Sequence, residues 1–235
     1  MLKALLWKEW QEQRSRMALA TIWLVGMTAI GLKTRILPDA GILSLIWFPT
    51  AIVLPAFLGM GLFASERKDG TLTYLMTQPV HRGHILLSKV TIGVLASILP
   101  FAFCGLTVFL ALGGQEMSTL SLARFAAGVT AFSVVAFAWD LLLGLRCRRE
   151  ETFVLASALV LSCSIVYDLA TEPYAMDESM SWLQAFSPFA TLATAQGMSP
   201  QSSNIAMIAA AQGLTLIALG FGLWLRFRRL REGRK

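Results

Sequence analysis

His81 and His84 lie three residues apart in the stretch FASERKDGTLTYLMTQPVHRGHILLSKV, residues 63–90, and they are the chain's only histidines. Two imidazoles at that spacing can meet one metal ion, but no cysteine or third histidine accompanies them, so a turn with two interfacial histidines is the simpler reading. No histidine falls in an apolar run where it could activate a serine, and neither G-x-S-x-G nor H-E-x-x-H occurs. Hydrolytic chemistry therefore lacks its base or its metal. The phosphate-cradling GxxxxGK[ST] loop is also missing, so any ATP that drives this protein is expected to be used by another chain. Asp140, in FAWDLLLGLRCRRE, is the one acidic residue embedded in an apolar run. Ionisable groups at membrane depth are functional candidates by default. This one stands only six residues, about 9 Å of helix, from Arg146, which favours a structural ion pair or interfacial anchor over a substrate or proton site. Arg146 lies off its helical face, so a partner would come from Lys89, Arg14 or Arg16 on another helix.

The elements that position these residues follow from composition. The 235 residues are 56% hydrophobic and 14% charged, with mean hydropathy +0.63. Soluble domains carry about 25% charged residues, so this is the composition of a membrane protein. An excess of 20 Lys and Arg over 14 Asp and Glu would suit nucleic acid if gathered on one soluble face. Here the charges separate apolar runs, and nucleic acid is not an expected partner. Cys104 and Cys163 sit inside apolar runs and Cys147 among arginines, which reads as free thiols rather than a disulfide framework. The long charged lead, with no A-x-A site closing the first apolar run, argues against a cleaved signal peptide.

Runs able to cross roughly 30 Å of hydrocarbon as helix occur at about 17–32, 41–64, 90–112, 125–145, 153–167 and 205–225. Prolines 49, 55 and 100 fall inside the second and third, where kinks are expected. Basic residues fix the orientation. Six spans place 17 of the 20 on one side, leaving only Lys33, Arg35 and Arg124 on the other. Both termini and the 65–88 loop are therefore expected to be cytoplasmic. The fold class is an all-α integral membrane protein, with 1–235 forming a single membrane domain.

Residues 1–16 place Leu2, Leu5, Leu6 and Trp10 on one side of a helix, interrupted by Glu9 and Gln13. A short interfacial helix with Trp7 and Trp10 at headgroup depth is the favoured reading; a cytoplasmic extension of the first span is the alternative. Between the last two spans, residues 181–195 are too apolar for an open loop and too short to cross. They fit a re-entrant hairpin broken at Pro188 or a segment resting on the outer leaflet.

In the 63–90 stretch, Leu72, Leu75 and Met76 fall on one helical face, Gly70 permits a tight reversal and Pro79 ends the turn. That face can enter a partner's groove or lie on lipid. The residues Glu66, Arg67-Lys68, Gly70-Thr71-Leu72, Leu75-Met76, Pro79-Val80-His81-Arg82 and Lys89 together resemble the permease family of type-2 ABC transporters. His81 stands where that family usually has serine. The resemblance extends to the lead helix, the six spans and the Ser187 to Phe189 segment. It implies an exporter-like transmembrane subunit in a bacterial cytoplasmic (inner) membrane, binding no cofactor itself. The implied partners are a second permease copy or paralogue and two copies of a cytoplasmic ATPase that uses the ATP. The loop after the second span would carry the coupling helix, with Glu66, Arg67, Gly70, Thr71, Leu72, Leu75, Met76, Pro79 and Arg82 as its contact set. A non-transporting membrane scaffold and, behind it, a polytopic membrane enzyme are the competing classes. An amphipathic or lipid-like substrate fits the apolar, lightly charged membrane domain.

Overall fold

The computed structural model describes residues 2–34, 39–77, 81–112, 119–147, 149–171, 185–187, 189–190 and 202–229. Among these residues the protein is helical, without a strand, and six helices are long and apolar enough to cross a membrane. They are α1 (Leu2–Thr34), α2 (Asp39–Gly59), α5 (Arg82–Leu112), α6 (Thr119–Arg146), α7 (Glu150–Thr171) and α8 (Ser202–Arg229). Two short helices, α3 (Ser65–Lys68) and α4 (Thr71–Thr77), lie between α2 and α5.

The lead does not form an element of its own. It is the first part of α1, an unbroken helix of 33 residues, roughly 50 Å long. No glycine or proline occurs before Gly26 to interrupt it. The inward face runs Leu5, Glu9, Gln13, Met17, Leu24 and Thr28. Glu9 and Gln13, which break the apolar pattern in sequence, are thus on the packed side. The lead is a packing element, and the alternative of a simple extension of the first span describes it better than a separate interfacial helix.

Helix α2 continues through Pro49 and Pro55 and then widens into a π-helical turn, Met60–Ala64. Such turns are rare and occur often at functional sites. The core of the bundle lies where α1, α2, α5 and α6 meet. Trp47 is fully buried there, with ring centroids 5.8 Å from Phe101 and 5.5 Å from Phe125. Its Nε1 donates to Thr28 Oγ1 at 3.2 Å, which joins α2 to α1. Gly93 lets α5 approach α6 closely. A Cβ there would stand 2.0 Å from Phe137 Cζ.

Helix α7 extends past the expected end of its span to Thr171, and most of its face is exposed. Between α7 and α8, Ser187 Oγ donates to Asp168 Oδ1 at 2.6 Å, while Gln212 Nε2 donates to the carbonyls of Ala185 and Ser187. Phe189 packs on Phe132 with centroids 5.3 Å apart. Pro188 and the remainder of 181–195 lie outside the described residues.

Candidate functional site

Where α1, α2 and α5 converge beside α3 and α4, the chain buries a group of charges. Lys89 of α5 is 0% exposed, Glu9 of α1 1% and Glu66 of α3 6%. Lys89 Nζ lies 2.9 Å from Glu9 Oε1 and 2.8 Å from Glu66 Oε1. Lys8 reaches the same Glu66 oxygen at 2.9 Å and Glu12 at 3.0 Å. The Lys89 ammonium also stands 5.5 Å from the centroid of the buried Phe63 ring, within reach of a cation–π attraction. The three carboxylates offer oxygens within 4.8 Å of one another, and the two ammonium groups supply positive charge among them. An unpaired charge in such a place costs several kcal/mol, so each member holds the others in position.

This group is joined to α4 through Glu66. Gly70 adopts φ 73°, the left-handed conformation that permits the chain reversal after α3. The Tyr74 amide then donates to the Gly70 carbonyl at 3.1 Å and Thr71 Oγ1 to the Glu66 carbonyl at 3.2 Å. Glu66 therefore serves two elements: its carboxylate is gripped by α1 and α5, and its backbone holds the start of α4. On α4 itself, Leu75 is half-buried against the chain's own core, whereas Tyr74 is 66% exposed. The side chains of Arg67, Leu72, Met76 and Arg82, and the whole of Pro79 and Val80, lie outside what is described.

The two histidines occupy the N-terminus of α5. His81 Nδ1 accepts the Gly83 amide at 3.2 Å, satisfying one of the helix's free donors, and both rings are exposed. Arg16 folds over Gly61 of the π turn and donates to the Phe57 carbonyl at 3.2 Å.

Among the described residues, no cation pairs with Asp140. Its polar partner among the described residues is Ser157, whose hydroxyl donates to Oδ1. Lys89 is engaged by Glu9 and Glu66, and Arg16 by the Phe57 carbonyl; neither reaches Asp140. The Cβ and backbone of Asp140 pack against Gly59, where a Cβ would meet Asp140 Cβ at 2.9 Å, and the residue lines a cavity of about 360 Å³ between α2, α6 and α7.

The sequence pattern did not disclose the buried charge group. Its signal was present in the polar residues at four-residue spacing on the apolar side of the lead, and in a lysine at the head of an apolar run. Pairing Lys89 with Glu9 links positions 80 residues apart, which local periodicity does not encode.

Six helices long and apolar enough to cross a membrane among the described residues, with buried charges where three of the elements meet, define a multi-pass membrane protein. The chain belongs to the ABC-2 family: the family model described as ABC-2 family transporter protein matches residues 11–230. It is thus a transmembrane permease of the ABC class. A search of curated protein sequences finds no match to this chain.

Proposed function

We propose that this permease forms the substrate pathway of an exporter driven by a separate cytoplasmic ABC ATPase, and that α3 and α4 are where the ATPase docks. In this reading the chain binds no cofactor; two ATPase subunits hydrolyse the ATP, and a second permease, identical or paralogous, completes the pathway. Both termini and the α3–α4 loop face the cytoplasm of a bacterial inner membrane, in keeping with the basic residues gathered on that side.

The observation that carries the reading is the Glu9–Lys89–Glu66 group joined to α4. A soluble motor can move a membrane pathway only through an element rigidly attached to the spanning helices. Here α4 is fixed by Thr71 to Glu66, and Glu66 is fixed by ion pairs to α1 and α5. Among the described residues Glu9 Oε2, Glu66 Oε2 and Gln13 Oε1 accept no hydrogen bond, so the group holds spare acceptors onto which Lys8 and Lys89 can re-pair as the helices shift. Tyr74 presents the exposed apolar surface for the partner, while Leu75 anchors α4 from beneath.

Purification from native membranes in mild detergent tests the reading against its rivals. A stoichiometric Walker-motif ATPase is expected. A scaffold would bring down membrane proteins without an ATPase, and a polytopic enzyme would turn over substrate alone.

A further inference from the structure

The cavity beside Asp140 is built unlike another apolar recess in the bundle. That space, about 430 Å³ between α5, α6 and α8, has no ionisable side chain among the described residues of its lining. The first places a carboxylate and two hydroxyls, Ser157 and Ser164, among the aromatic rings of Phe57, Phe132, Trp139 and Phe153. Asp140 is 7% exposed, and the protein supplies it with one hydroxyl donor and no cation among the described residues. A carboxylate at membrane depth calls for a counter-charge, and the nearby basic side chains Lys89 and Arg16 are committed elsewhere. Aromatic faces around a carboxylate favour a weakly hydrated organic cation over a small, strongly hydrated one. Val53, Phe57 and Val154 on the rim are exposed, so the space can be entered sideways from the bilayer. Along α7, Ser157 to Ser164 gives the wall about 10 Å of length, enough for an extended apolar body.

We propose that the cavity between α2, α6 and α7 binds a lipophilic organic cation, a quaternary ammonium or protonated amine on an apolar frame. Its charge sits against Asp140 and its body against the aromatic walls. As a substrate site this rests on the transport reading above; as a binding site it does not. Asp140 is then a ligand-binding residue, where its position near the end of a span had argued for a structural ion pair.

The test is equilibrium binding of radiolabelled tetraphenylphosphonium to the permease complex in nanodiscs, with empty nanodiscs subtracted. Saturable binding is expected, weakened roughly tenfold or more in Asp140→Asn, as for loss of one partner of a desolvated charge pair, and retained in Asp140→Glu. Ala158→Phe, which fills the space from α7, should abolish binding whether or not the Asp140→Asn protein assembles. No saturable binding to the unaltered complex, or equal binding to well-folded Asp140→Asn or Ala158→Phe, overturns the proposal. ATPase co-purification, measured on the same samples, reports separately on the transport reading: its loss with cation binding intact sinks that reading and leaves the site standing.

Discussion

Lys89 and Glu66 meet at 2.8 Å in the interior of the bundle, one near the head of α5 and the other in α3, the short helix that precedes α4. The pair joins the long helix α5 to the short helix α3 that leads to α4. Glu9 of α1 shares the same ammonium at 2.9 Å, so three elements turn about one buried nitrogen.

Lys89→Met removes that nitrogen and leaves two buried carboxylates facing each other. Breaking a buried pair in this way costs about 3 to 5 kcal/mol. The variant should therefore accumulate poorly and melt well below the unaltered protein in detergent. Adding Glu9→Gln and Glu66→Gln to Lys89→Met should recover much of the loss, because the stranded charges are gone. A single variant as stable as the unaltered protein would show that the ion group does not hold the junction together.

Close helix approach at Gly93 gives a second test. Phe137 is 1% exposed and a Cβ on Gly93 would overlap its ring at 2.0 Å, so Gly93→Ala should cost roughly 1 to 3 kcal/mol through overpacking. Gly213 has open space around it, and Gly213→Ala should be neutral or slightly stabilising. Thermal unfolding of both variants checks the contrast; equal melting would refute the α5–α6 packing.

The spanning helices were legible because crossing a bilayer demands long apolar runs, a demand each segment meets by itself. The reversal at Gly70 was legible for a similar reason: a left-handed residue followed by a short amphipathic turn is local chemistry. What stayed hidden depends on partners distant in sequence. The place of Asp140 near the Arg146 end of its run favours an ion pair or an interfacial anchor, but among the described residues Lys89 is engaged by Glu9 and Glu66, and Asp140 has a serine and a cavity beside it. Leu75 was placed with Leu72 and Met76 on a docking face. Its half-buried seat against the chain's own core follows from how α4 lies on the bundle, which helical spacing alone does not specify.

Topology is predicted by the distribution of basic residues. Reporter fusions after Asp39, Glu116 and Asp177 should report the outer side, and fusions after Lys68 and Arg149 the cytoplasm. A cytoplasmic signal at Asp177 would mean that α7 does not cross, and the six-span arrangement would be abandoned.

If α4 is the contact with a separate ATPase, Tyr74, an exposed aromatic residue on it, should touch the partner. The direct measurement is photo-crosslinking in native membranes, with benzoylphenylalanine in place of Tyr74 and, as control, in place of Leu120, an exposed residue at the start of α6. The Tyr74 position should yield an adduct with a Walker-motif ATPase, identified by mass spectrometry, and the Leu120 position none. An ATPase adduct from Leu120, or lipid adducts alone from Tyr74 in membranes that contain the partner, would contradict this contact.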